Sequence, residues 1–340
     1  MKKLILIMLV LTAFVITGCT EKDQVVNLYT SRHYDADQAL LDTFTEETGI
    51  KVNVVKDDGS TLITRLETEG EDTLADLFIT SDAGNLEIAK AKDLLQTVDS
   101  TVLNENIPAN LRDDESFWFG LTVRARVLVY SLERVNPDEL TTYEDLVNEK
   151  WNGRILVRSA SNMYNQSLLA SLVATNGYDS AKLWADGVRT NMARTPEGND
   201  RAQAIAVAAG IGDVAIMNTY YIGKMINSDD AEQILAVEKV GVFFPNQGEG
   251  GTHINVSGVA LTKYSKNEAN AIKLMEFLSG EVAQYTYAST NYEYPVNPNV
   301  EPSGLLKSWG AFEVQDINLS LLGTHNKDAV TIFEEVNWDN

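Results

Sequence analysis

Cysteine and histidine are scarce: the 340 residues contain one cysteine, Cys19, and three histidines. A single thiol allows no disulfide within the chain. Basic residues are also in deficit, 27 against 49 acidic. A body this acidic is repelled by nucleic acid and by anionic membrane surfaces. Its charges are dispersed and its hydrophobic content is 44%, which excludes a disordered acidic tail. There is no low-complexity linker and no internal repeat, so any division into domains runs through ordinary structured chain. HExxH, GxSxG and P-loop patterns are missing too, which removes the familiar signatures of metallopeptidases, serine hydrolases and nucleotide binders.

What is present begins with an address. Lys2 and Lys3 precede the apolar run LILIMLVLTAFVI and then ITGC. This is a secretory signal, too short and too tightly bounded to be a spanning helix. The residues ITG before Cys19 resemble the bacterial lipobox, so residues 1–19 are expected to be signal peptide and lipobox, with Cys19 acylated to become the mature N-terminus. Acylation uses the only thiol, leaving no cysteine for metal ligation or nucleophilic catalysis. The expected location is extracytoplasmic, periplasmic or at the cell surface, with contact to the membrane only through the lipid anchor. Without Lys2 and Lys3 the chain has 25 basic and 49 acidic residues, a net charge of −24. The remaining length, about 320 residues, suits two domains of ordinary size.

Periodicity predicts α/β architecture with largely parallel sheets, because short β-rich runs alternate with amphipathic helical runs. VVNLYT (25–30) reads as a strand; Leu40, Leu41 and Phe44 then mark a helix face that Gly49 closes. IKVNVV is the next strand. ADLFITS leads to a helix starting near Asp82, with Leu86, Ala89, Leu94 and Leu95 on its apolar side. In the second half RILVRS (154–159) is a strand, followed by a helix carrying Leu168, Leu169, Leu172 and Val173 and ended by Gly177. GDVAIMN is a further strand, TYYIG a turn, and KMINSDDAEQILA an interrupted helical stretch.

Three strand-to-helix junctions carry tyrosine: SRHYD (31–35), SNMYN (161–165) and NTYYI (218–222). In open α/β sheets ligands bind outside the carboxyl ends of strands. Tyr34, Tyr164, Tyr220 and Tyr221 all fall there. In a first helical turn neighbouring side chains diverge by about 100° rather than the 180° of a strand, so Tyr220 and Tyr221 can face one cleft. Spacing leaves two readings open: rings covering apolar surface with their hydroxyls in water, or phenols converging on a ligand. A phenol with a pKa of about 10 is a poor general base near neutrality. A highly charged cation changes this by stabilising the phenolate, and charged oxygen donors suit Fe3+ better than Zn2+ or Cu+. His33 is either one imidazole ligand or a capping or surface residue. Arg124 and Arg126 alternate onto one face of a strand, as partners of a ligand phenolate or of ordinary carboxylates.

Six segments, YTSRHY (29–34), ADLFITSDAGNL (75–86), RARVLVYS (124–131), RSASNMYNQSLLAS (158–171), GDVAIMNTYY (212–221) and GGTHINVSG (250–258), give the chain its likeness to a known family. It resembles the periplasmic ferric-ion-binding proteins of bacterial iron ABC transporters, the bacterial transferrins, over nearly the whole mature length. The resemblance implies a periplasmic-binding-protein-like type II fold: two α/β lobes with mixed or parallel sheets, joined by crossing hinge strands and closing on one Fe3+. The lobes would comprise residues 24–123 plus 251–300 and residues 124–250 plus 301–340. In the tyrosine-rich branch, which this sequence is most similar to, the phenolates match Tyr34, Tyr164, Tyr220 and Tyr221. The residue matching His33 is a fifth ligand in some members, and Arg124 is favoured as the arginine behind a ligand phenolate. Other branches use a carboxylate near the start of ADLFITSDAGNL together with an exogenous anion. Ser81 stands where that carboxylate aligns, with Asp82 next, a departure that favours the tyrosine-rich mode. Fe3+ with four phenolates leaves one negative charge, which disfavours an added anion unless cations lie nearby.

The implied partners are an ABC permease and its ATPase, with the binding protein a monomer that is not an enzyme. Two rival readings follow from the residues alone. The tyrosines could wall a site for an organic cation, a sugar or an oxyanion. A tyrosinate-ligated non-haem iron enzyme is the other rival, weakened because His253 and His325 lie outside the three junctions.

Overall fold

The computed structural model describes residues 24–340, so the signal peptide and the acylation of Cys19 expected above lie outside the described residues. The chain opens with alternating strands and helices: β1 (Val25–Thr30), α1 (Asp35–Thr48), β2 (Lys51–Lys56), α2 (Gly59–Glu69), β3 (Leu77–Thr80), α3 (Ala83–Ala91), β4 (Leu95–Gln96) and α4 (Thr101–Asn106). The long strand β5 (Phe119–Ser131) leads to β6 (Ile155–Leu156), α5 (Met163–Asn176), α6 (Tyr178–Thr190) and α7 (Asp200–Ala208). Next come β7 (Val214–Asn218), α8 (Thr219–Ile226), α9 (Ala231–Val237) and β8 (Val240–Phe243). β9 (Ile254–Thr262) precedes α10 (Glu268–Ser279), α11 (Glu281–Thr286), β10 (Tyr294–Pro295), α12 (Gly304–Ser308), α13 (Leu321–Thr324) and α14 (Asn326–Glu335).

Helix α1 illustrates how sequence sets these elements. Tyr34 is extended (φ −89°, ψ 149°) and its N–H donates to Asp37, while Asp35 and Asp37 place negative charge at the positive end of the helix. Ala36, Leu40, Leu41 and Phe44 form the buried stripe, and Gly49, at φ 73°, stops the helix in a conformation that suits glycine.

The sheet is mixed, running β2–β1–β3–β9–β5–β7–β6. β1 pairs in parallel with β2 and β3, and β6 with β7, as the βα alternation requires. The antiparallel pairings all involve β5 or β9. β5 changes partner along its length: Phe119–Ala125 pairs with β9, and Arg126–Tyr130 with β7. A single strand thus leaves one α/β layer and enters the next, giving a two-lobe mixed α/β fold of the periplasmic-binding-protein type. Tyr143 bolts the crossing, accepting from the His253 N–H and donating to the Arg126 carbonyl. One core spans the first layer and continues under β7, α7 and α8, and a second gathers Trp151, Leu168, Trp184, Phe333 and Trp338. The C-terminal α14 packs on α5 and α6.

Three local expectations need correction. Leu94 and Leu95 do not continue the face of α3: Lys92 caps the helix, Asp93 turns the chain at φ 59°, and Leu95 enters β4. The strand expected over 154–159 shrinks to Ile155–Leu156, where it finds partners in β7. TYYIG is not a turn, because α8 begins at Thr219, immediately after β7.

Candidate metal centre

The four junction tyrosines converge. Tyr34 caps α1 after β1, Tyr164 is the second residue of α5, and Tyr220 and Tyr221 lie in the first turn of α8. Tyr220 is the hub. Its hydroxyl accepts from that of Tyr34 at 3.2 Å and lies 3.3 Å from that of Tyr164. The Tyr164 hydroxyl also donates to Ser81 Oγ at 3.4 Å, and the Tyr221 ring tilts against that of Tyr220 with centroids 4.2 Å apart. Adjacent oxygens around a small hard cation, each about 2 Å from it, are separated by roughly 3 Å, so these hydroxyls are already near ligand spacing.

Burial, reinforced by neighbouring tyrosines, pushes the phenols of Tyr34, Tyr220 and Tyr221 above their ordinary range. Without a cation these groups therefore hold their protons near neutrality. Cations surround the cluster. Arg124 lies 4.9 Å from the Tyr164 ring centroid and Arg158 5.7 Å, Arg201 lies 5.7 Å from that of Tyr221, and the Lys224 ammonium sits 4.1 Å from that of Tyr34. Burial, aided by Arg201 and Arg32, pulls the Lys224 pKa down. Arg32 is locked by Asp37 and Glu293, Arg124 by Asp82, and Arg126 and Arg158 by Asp200.

His33 is exposed at the rim, its ring 4.8 Å from that of Tyr34. Asp82 is otherwise engaged: fully buried, it accepts from Gly84 N, Ser167 Oγ, Asn255 Nδ2 and Arg124 Nη2. Its carboxyl pKa is raised by burial against the opposing pull of Arg124. Arg124 therefore makes the ion pair with a carboxylate considered for it, and its guanidinium also stands over the Tyr164 ring. Among the described residues no group of three or more His, Cys, Asp or Glu side chains could hold a metal ion, which leaves the phenols as the converging charged-oxygen donors.

Apart from Arg124, sequence reasoning missed the cationic surround. Lys224 had a signal, standing three and four residues after the tyrosine pair on α8. Arg32 and Arg158 stand just before Tyr34 and Tyr164 in the same strand-to-helix junctions, whereas Arg201 reaches the site from α7, where nothing in the local pattern marks it.

Residues 72–311 match the family model described as a bacterial extracellular solute-binding protein. The chain belongs to that family, one of binding proteins and not of enzymes. It is 45% identical to iron uptake protein A1 of Synechocystis sp. over 317 residues, which is 93% of this chain and 88% of that protein. A Trichodesmium protein solved in complex with iron and citrate ligands superposes with a TM-score of 0.89 at 47% identity, covering 92% of this chain and 99% of that one. A ferric binding protein from Campylobacter jejuni superposes with the same TM-score at 43% identity, with coverages of 92% and 99%.

Proposed function

We propose that this protein captures Fe3+ between its two lobes through the phenolates of Tyr34, Tyr164, Tyr220 and Tyr221 and delivers it to an ABC permease driven by its ATPase. The observation that carries this reading is the contact of phenol groups from three separate strand-to-helix junctions, in a chain whose relatives are named for iron. The lobes are residues 24–123 plus 251–300 and residues 124–250 plus 301–340. The partner switch in β5 between Ala125 and Arg126 supports a hinge at that place. One lobe then supplies Tyr34 and His33 and the other supplies the remaining tyrosines, so the ion draws them together. His33 is assigned as a fifth ligand from its place beside Tyr34, and Arg124 as the cation that stabilises the Tyr164 phenolate. The protein works outside the cytoplasm as a monomer tethered by acylated Cys19.

Binding exchanges phenolic protons for the ion, so acid favours release, as does reduction to the less charged Fe2+. The test is to titrate iron-free protein with a ferric chelate and follow tyrosinate-to-iron absorbance. A saturable band at one equivalent supports the reading. A ligand-dependent stability gain without colour would favour an organic solute instead.

A further inference from the structure

Tyr292 stands in a backbone conformation that bulky residues rarely adopt. Among the described residues the non-glycine positions with positive φ are Asp93, Ser116, Asn246, Asn337 and Tyr292. The first four carry short polar side chains, whereas Tyr292 brings an aromatic ring to φ 56° and ψ 33°. It caps a single π turn, Tyr287–Asn291, that follows α11, and its N–H donates to the Tyr287 carbonyl. Glycine is the residue best suited to such a cap.

The reversal of the chain at this cap sends consecutive side chains in different directions. Glu293 turns inward, where it is 1% exposed and accepts from Nη1 and Nη2 of Arg32. That guanidinium lies 5.3 Å from the centroid of the Tyr34 ring. Tyr292 turns the other way, to Gly223 in the interior of α8. A Cβ at Gly223 would lie 2.5 Å from Tyr292 Cβ, 2.6 Å from Cγ and 3.0 Å from Cδ2, so the ring occupies the notch that the missing side chain leaves. Glycine inside a helix is disfavoured, as is tyrosine in the left-handed region. Two residues that their own backbones disfavour therefore meet each other, and the contact between them accounts for both.

This contact joins the two sides of the iron site. In the lobe division proposed above, Tyr292 and Gly223 belong to different lobes. Gly223 follows Tyr220 and Tyr221 on the same helix and precedes Lys224, whose ammonium stands over the Tyr34 ring. The helix that the ring touches is thus the one that presents the tyrosine pair. Tyr292 is only half-buried, and a groove lined by Ile226 and Asn227 of α8 and by Val282 and Tyr285 of α11 runs beside it. Water can enter along that groove as the helices part, so the contact can break without opening a core.

We propose that Tyr292 is a positioning residue for iron retention: its ring, seated against Gly223, latches the closed lobes and fixes how far α8 carries Tyr220 and Tyr221 towards Tyr34. This rests on the iron-binding reading above. The ring does not touch the ion, so it governs how long the closed form lasts and not which atoms ligate.

The test is to load the protein with ferric citrate, add excess EDTA, and follow decay of the tyrosinate-to-iron band in the unaltered protein, Tyr292→Phe and Tyr292→Gly. Tyr292→Phe keeps the ring and should release iron at the unaltered rate. Tyr292→Gly, which suits the cap, should release it about 10-fold faster with the band at the same wavelength. Equal rates in all three proteins overturn the proposal. So does a Tyr292→Phe protein that releases as fast as Tyr292→Gly, because the hydroxyl and not the ring would then act. If Tyr292→Gly fails to fold, Gly223→Ala tests the contact from the other side with a residue that favours the helix. Faster release is expected there too, and an unchanged rate counts against the latch. The unaltered protein separates the two claims: no band in it removes the iron reading and the latch with it, whereas a band with equal release rates removes the latch alone.

Discussion

Tyr220 and Tyr221 stand side by side because α8 starts where β7 stops, which turns a strand's opposed faces into a helix's neighbouring ones. The Tyr220 hydroxyl contacts those of Tyr34 and Tyr164, so its removal uncouples the cluster. Tyr220→Phe is expected to weaken Fe3+ binding by about 100-fold or more, roughly 2.7 kcal/mol, in chelator competition. His33→Ala, at the rim, is expected to lose about 10-fold under the same assay. The raised phenol pKa values set the pH response: Tyr34, Tyr220 and Tyr221 are protonated before iron arrives and must release protons on binding. Affinity should therefore fall as pH is lowered from 8 towards 6, with proton release detectable by calorimetry in buffers of different ionisation enthalpy. Equal affinity at both ends would argue against phenolate ligands. At this scale the tyrosines were legible from their junctions; Lys224 was missed although its helical spacing from Tyr220 and Tyr221 marked it. Arg32 and Arg158, although beside Tyr34 and Tyr164 in the chain, were not legible, because a loop gives no period from which to read the direction of a side chain, and Arg201 was hidden by its distance from Tyr221.

Two contacts between elements carry most of the closure argument. Asp82, at the start of α3, accepts from Arg124 on β5, Asn255 on β9 and Ser167 on α5. Removing a buried charge with that many partners is strongly destabilising, so Asp82→Ala should cost about 3–5 kcal/mol in urea unfolding. Gly223 on α8 is the second contact: a Cβ there would lie 2.5 Å from Tyr292 Cβ, closer than side chains tolerate. Gly223→Val is expected to hold α8 away from Tyr292. Iron binding should weaken although every tyrosine is intact, and small-angle scattering should show less compaction on adding iron than in the unaltered protein. Full compaction in the variant would remove Gly223 from the account. The elements were legible where period and caps agreed, as in α1 and α5. The shortness of β6 was not, since the apolar run 155–157 gives no sign of where pairing ends. The partner switch in β5 was equally hidden, because both halves of that strand are buried.

The whole molecule is two α/β layers threaded by one strand, with the tyrosine cluster formed by side chains from both sides of the crossing. Family likeness made the two-lobe plan legible in the sequence, whereas periodicity alone suggested largely parallel sheets and missed the antiparallel pairings of β5 and β9. The acidic surface, with 49 acidic against 27 basic residues, attracts cations at long range. The basic side chains gathered at the cluster oppose that attraction locally and stabilise phenolates instead. This division, acidic outside and cationic around the phenols, suits a site that takes a trivalent ion and becomes anionic in doing so. The most direct test is to express residues 20–340, strip the protein with chelator, and titrate ferric citrate while recording the visible spectrum. The account predicts a saturable orange-red charge-transfer band at one equivalent, weakened in Tyr220→Phe and in Tyr221→Phe. Absence of any band, with unchanged thermal stability, would contradict it.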